Sequence, residues 1–196
     1  MKNLALCAGL ALALAGCGGK EPAFFGKQLW PTKSAYNFKL TDQNGQPLSL
    51  AQFQGKVVLF AFGFTNCPSY CPATLSHFTA IRKALPESLR DQVQFLFISL
   101  DPERDTPASL KQFVSFYDPG FLAATGSESD LKMAATAYYA SYRKVKGETN
   151  EDYLIDHSTQ AYLINPAGRW ELYYSFDKLA EAESVAGDIV QVLKAQ

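Results

Sequence analysis

The chain is punctuated into apolar blocks whose spacing predicts its elements. Asn37-Phe38-Lys39-Leu40 alternates, Asp42-Gln43-Asn44-Gly45 is turn chemistry, and Pro47-Leu48-Ser49-Leu50 resumes, a pattern that predicts a β-hairpin. Val57 to Phe62 is a continuous apolar run after Gln54-Gly55-Lys56, as in a strand buried on both faces. Pro72 to about Leu85 carries Leu75, Phe78, Ile81 and Leu85 at helical spacing, and Val93 to Leu100 reads as a second buried strand. Thr106 as N-cap and Pro107 at the first helical position predict a helix through Leu110, Phe113, Val114 and Tyr117. A short strand at Phe121 to Ala123, a helix from Glu128 or Ser129 through Tyr138 and a strand at Tyr142 to Val145 follow. Gly147 to Asp156 is polar and predicts a loop. Thr159 to Ile164 and Arg169 to Phe176 flank the turn Asn165-Pro166-Ala167-Gly168 as a second hairpin, and Asp177 to Leu193 predicts an amphipathic closing helix. Buried strands alternating with helices, then a hairpin and a last helix, imply an α/β domain with a central mixed sheet flanked by helices.

Composition narrows the functional classes. The 196 residues are 47% hydrophobic and 19% charged, which excludes a disordered tail or a coiled coil. With 18 Lys+Arg against 19 Asp+Glu there is no broad basic surface, so nucleic-acid binding is not expected. At the N-terminus, one lysine precedes the apolar run Leu4 to Leu14, too short to span a bilayer and fitted to a signal-peptide core. It ends in Leu14-Ala15-Gly16-Cys17, which resembles the bacterial lipoprotein signal: an aliphatic residue, two small ones and a cysteine that is acylated. The expected organisation is a lipoprotein signal peptide over residues 1–16, a membrane tether over 17–35 with Cys17 as the lipidated residue, and a folded domain over 36–196. The expected location is the bacterial cell envelope, lipid-anchored to a membrane and facing the periplasm or extracytoplasmic space. A monomer is the default expectation.

Of the 4 cysteines, Cys7 leaves with the signal and Cys17 takes lipid, so Cys67 and Cys71 remain, in an oxidising compartment. They lie in Gly63-Phe64-Thr65-Asn66-Cys67-Pro68-Ser69-Tyr70-Cys71-Pro72, just after the first central strand and at the mouth of a helix, a placement that resembles the thioredoxin-like fold. If both lay on helical backbone, four residues would rise about 6 Å and return to nearly the same face, within reach of a disulfide or of one shared metal ion. The pair can be a disulfide, a dithiol or a metal chelate. Structural zinc commonly uses two such pairs and there is no second one, whereas two thiolates and an imidazole suit a three-coordinate Cu(I) ion. Only two histidines can supply the imidazole. His77, well into the helix, reads as an ordinary helical histidine, and His157, before the strand beside the cysteine loop, reads as the ligand. Asp156 is a candidate to orient that ring by a hydrogen bond. In Asp101-Pro102-Glu103-Arg104-Asp105-Thr106-Pro107 the last three residues read as a helix start, while Asp101 and Arg104 are candidates to line the site.

These three motifs, Cys67 to Pro72, Asp101 to Pro107 and Asp156-His157-Ser158, together resemble the Sco/SenC family over roughly residues 37–193. The resemblance implies a thioredoxin-like, membrane-tethered copper-binding protein that serves assembly of the CuA centre of cytochrome c oxidase. Cys67, Cys71 and His157 would then be the copper ligands, for Cu(I), Cu(II) or both. The expected partners are the oxidase subunit carrying CuA, and other periplasmic copper chaperones or thiol reductants. A second function stands beside this metallochaperone: a thiol–disulfide oxidoreductase in which Cys67 attacks a partner's disulfide and Cys71 resolves it. A peroxide-reducing enzyme fits poorly, because Phe64 and Gly63 stand where an activating threonine is needed, and a purely structural Cys67–Cys71 disulfide is the non-catalytic alternative.

Overall fold

A computed structural model describes residues 23–147 and 153–195. The expected signal peptide, Cys7 and Cys17 lie outside the described residues. Ten strands form two sheets. The strands are β1 (Lys27–Ser34), β2 (Lys39–Asp42), β3 (Pro47–Ser49), β4 (Val57–Gly63), β5 (Val93–Ser99), β6 (Leu122–Thr125), β7 (Tyr142–Lys146), β8 (Tyr153–His157), β9 (Ala161–Ile164) and β10 (Arg169–Tyr174). The helices are α1 (Tyr70–Ala84), α2 (Pro107–Ser115), α3 (Glu128–Ala137), α4 (Phe176–Leu179) and α5 (Ala182–Lys194). The large sheet runs β1-β10-β9-β4-β5-β6-β2-β3, and β7 pairs with β8 in a separate two-stranded ribbon. β4, β5 and β6 are parallel and every other pairing is antiparallel, which makes the mixed sheet that the blocks predict.

Every residue of β4 is buried, because the strand is central and covered on both faces. Successive side chains point to opposite faces. Phe60 and Phe62 enter an aromatic cluster with Tyr138, Tyr162 and Trp170. Gly63 faces the other way, toward Cys71 and the Phe97 ring, and Phe97 packs on Phe113 of α2. Thr106 caps α2 as expected, its hydroxyl accepting from the Ser109 amide at 3.2 Å.

Three predicted boundaries differ. The tether expected up to Ala35 includes β1, an edge strand paired with β10. Pro31, which lacks an N–H, is tolerated at an edge where the register shifts, and it masks the strand in the sequence. The start of this strand is fixed by Asp188 of α5, whose buried carboxylate accepts from the Phe25 and Gly26 amides at 2.9 and 2.7 Å and from the Tyr174 hydroxyl at 3.0 Å. The predicted loop Gly147 to Asp156 contains most of β8, which pairs with β7 from Tyr142 opposite His157 to Lys146 opposite Tyr153. The closing helix is broken at Ala180-Glu181, so that Phe176 packs on Tyr70 and His77 of α1 while Val185, Ile189 and Val192 enter the core.

Candidate metal centre

The cysteine loop hangs between the C-terminal end of β4 and the N-terminus of α1. Gly63 is required where the two meet: a Cβ there would lie 2.7 Å from the Cys71 sulfur and 2.6 Å from the Phe97 ring. Cys67 precedes α1 rather than lying on it, which corrects the both-on-helix geometry, and Cys71 is the second helical residue. Ser69, at the N-cap position, makes no side-chain cap bond; the Cys71 amide donates instead to the Cys67 sulfur at 3.4 Å. Cys67 thus does the capping work of an oxygen side chain at a helix N-terminus, where negative charge is favoured.

Both thiols are free in the structure, and they share one negative charge. The Cys71 thiol, donating to Cys67, lowers the Cys67 pKa to about 3; burial opposes this, while His157 and the Cys71 and Ser69 amides add to it. Cys71 is pushed far up by the same hydrogen bond, by its burial and by repulsion from the Cys67 thiolate. The hydrogen bond between them thus favours negative charge on Cys67 over Cys71.

His157 closes β8. Its Nδ1 lies 2.9 Å from the Ser158 carbonyl oxygen, which can only accept. Nδ1 therefore carries a proton, and Nε2 is the ring nitrogen that faces the sulfurs, 3.6 Å from that of Cys71. The edge of the Phe64 ring packs on the imidazole at 5.9 Å. The ligand atoms of Cys67, Cys71 and His157 all lie within 4.8 Å of one another, the one such group of three metal-ligating side chains among the described residues. Cys67 and His157 open into a cleft walled by Phe64, Pro68, Tyr70, Val145 and Leu154, while Cys71 is buried.

The flanking candidates fall differently. Asp156 does not orient the imidazole: it is exposed and pairs with Arg143 at 3.0 Å, because alternation along β8 turns its side chain away from His157. His77 sits apart from the ligand group, half-buried against Phe176, and burial lowers its pKa. Asp101 and Arg104 do not reach the ligand atoms. Asp101 is fully buried and accepts from Arg104 Nε at 2.6 Å and from the Tyr153 hydroxyl at 2.5 Å.

Asp105 is the residue that sequence reasoning missed. Read as part of a helix start, it instead points under the cysteine loop, 1% exposed. Its carboxylate accepts from the Thr65 amide at 2.9 Å, the Thr65 hydroxyl at 2.5 Å and the Ser99 hydroxyl at 2.5 Å. A signal was present: Thr106 alone suffices to cap α2, so the preceding aspartate was surplus to that role.

Comparison with known proteins agrees with this geometry. The SCO1/SenC family profile matches residues 27–194. The mitochondrial SCO2 homologue of Mus musculus is 38% identical over 146 residues, covering 74% of this chain and 57% of that protein's own length. Apo Sco1 from Thermus thermophilus superposes with a TM-score of 0.79 at 35% identity, over 89% of this chain and 99% of that one. Copper-bound ScoI from Bradyrhizobium japonicum gives 0.72 at 33% identity, over 81% of this chain and 98% of that one. The chain belongs to the SCO1/SenC family.

Proposed function

We propose that this SCO1/SenC chain carries copper as cargo, bound by Cys67, Cys71 and His157, and hands it on in assembly of the CuA centre of cytochrome c oxidase. The observation that carries this reading is the convergence of two sulfurs and one imidazole nitrogen within 4.8 Å. Two soft sulfur donors with one borderline nitrogen suit Cu(I) in a three-coordinate site, and Cu(II) would recruit a further nitrogen or oxygen donor. Loading copper displaces whatever protons the two thiols still carry, because the ligands bind deprotonated. The cleft lined by Cys67 and His157 gives the sulfurs of an acceptor protein access to these two ligands, as ligand exchange requires.

The topology also supports a membrane acceptor. Lys27 opens β1 opposite Tyr173, Tyr174 lies opposite Ala161, and Ala161 lies opposite Ala61, so the chain enters the sheet at the end that bears the cysteines. With Cys17 lipidated, the six residues to Ala23 reach at most about 20 Å. A lipid anchor of that length holds the copper end close to the membrane surface of the cell envelope.

A second reading, thiol–disulfide exchange, is favoured by one observation: the two thiols are free, and Cys67 sits at the N-terminus of α1 with its sulfur accepting from the Cys71 amide, a place that favours an attacking thiolate beside a resolving thiol. The test is Cu(I) competition against a colorimetric chelator, with the full chain in mild detergent and Cys7 and Cys17 replaced by serine. The expected result is one copper per chain, lost in Cys67→Ser and Cys71→Ser and weakened in His157→Ala. Stoichiometric copper retained by Cys67→Ser would overturn the copper reading, and rapid disulfide exchange insensitive to His157→Ala would favour the second.

A further inference from the structure

The β7–β8 ribbon that carries His157 is not part of the main sheet, so something must hold the imidazole against the cysteines. Alternation puts Tyr153, Ile155 and His157 on the inner face of β8, with Leu154 and Asp156 outward. The His157 end is pinned to the start of β7: the Ser158 amide donates to the Ser141 carbonyl at 2.9 Å and the Ser141 amide to the Ser158 hydroxyl at 3.0 Å. The far end is gripped at Tyr153 on three sides. Its hydroxyl donates to buried Asp101, its carbonyl accepts from Arg104 Nη1 at 2.9 Å, and the Arg104 guanidinium lies 3.5 Å from the centre of its ring. Arg104 also sits over Phe64 at 5.9 Å, and Phe64 is the ring that packs on His157.

The grip continues into the cysteine loop. The Asp101 amide donates to the Ser99 hydroxyl at 3.0 Å, that hydroxyl donates to Asp105, and Asp105 accepts from Thr65, two residues before Cys67. One run of hydrogen bonds across the end of β5 thus joins the segment bearing the sulfurs to the strand bearing the nitrogen.

We propose that Tyr153, clipped by Asp101 and Arg104, is a positioning residue for His157 that sets how readily the imidazole joins the two sulfurs on copper. The clip touches no ligand atom and acts through the ribbon. It rests on the copper reading above only for its effect on affinity; its effect on the ribbon stands without metal. Copper carried as cargo has to leave, and a third ligand on a separately held ribbon makes the imidazole the donor that withdraws when the clip loosens.

The test is Tyr153→Phe, which keeps the ring and its contact with Arg104 and removes one hydroxyl, measured alone and with His157→Ala in the full chain. Without copper, hydrogen exchange of the β7 and β8 amides is expected to rise about tenfold, while α1 and β4 stay protected. With copper, Cu(I) affinity is expected to fall about tenfold, in the range found for groups that orient a metal-bound histidine. The loss is expected to vanish in the His157→Ala background, where there is no imidazole left to position. Unchanged ribbon exchange in Tyr153→Phe overturns the proposal. So does an affinity loss of equal size with and without His157, which would make Tyr153 a general stabiliser. If the wild-type chain takes no Cu(I), the copper reading fails by itself, and the clip is judged on ribbon exchange alone.

Discussion

Replacing Asp105 by alanine removes the acceptor that holds the cysteine loop to the end of β5. The carboxylate is 1% exposed and takes three hydrogen bonds, from the Thr65 amide, the Thr65 hydroxyl and the Ser99 hydroxyl. Hydrogen bonds to a charged group contribute about 1.5–3 kcal/mol each, but three on one carboxylate are not additive. Each buried donor left without a partner costs about 1–3 kcal/mol, and with three donors orphaned a loss of about 3–5 kcal/mol is expected for Asp105→Ala. Asp105→Asn keeps an oxygen for the Thr65 amide and Ser99, and the Thr65 hydroxyl can turn to accept from the new amide, so about 1–2 kcal/mol is expected. Urea unfolding of both variants, read by tryptophan fluorescence, gives the two losses directly. Were Asp105 only the residue before a helix cap, its removal would stay within about 0.5 kcal/mol, as for an ordinary surface change. A loss that small, or equal losses for alanine and asparagine, would refute the reasoning.

Gly63→Ala would drive a methyl group to within 2.7 Å of the Cys71 sulfur and 2.6 Å of the Phe97 ring. Overpacking of this kind costs about 1–3 kcal/mol, and a displaced Cys71 should weaken Cu(I) binding; competition titration beside urea unfolding checks both. Asp188→Ala leaves the Phe25 and Gly26 amides without their acceptor, and a stability loss of about 3 kcal/mol is expected. New proteolytic cleavage near Phe25, seen by mass spectrometry, would accompany it. Cys17→Ser should leave export intact and abolish membrane partitioning of the chain, measured by fractionation.

The central fold was legible because its strands are buried on both faces. Val57 to Phe62 and Val93 to Leu100 are apolar throughout, and only the middle of a covered sheet calls for that. The clustering of Cys67, Cys71 and His157 was legible because so few residues could form it: two cysteines beyond Cys17 and two histidines leave little to choose from. Edge structure was not legible. β1 contains a proline and a register shift, and in β8 the outward Leu154 stands between the inward Tyr153 and Ile155, so neither shows sustained periodicity. The supports of the site were hidden for a different reason. Asp105, Ser99 and Tyr153 act through contacts across 40, 6 and 52 positions of sequence, and the local pattern shows only that Asp105 is surplus to the helix cap, not where its donors lie. Asp156 misled because adjacency in sequence to His157 places it, on a strand, on the opposite face.

The central claim is that Cys67, Cys71 and His157 hold one copper ion together. X-ray absorption of the copper(I)-loaded full chain, with Cys67 and Cys71 its only thiols, tests it most directly. Two sulfur donors and one imidazole nitrogen per copper are expected, with the nitrogen lost in His157→Ala and the sulfurs kept. A wild-type shell of sulfur alone, or of nitrogen and oxygen without sulfur, would contradict it.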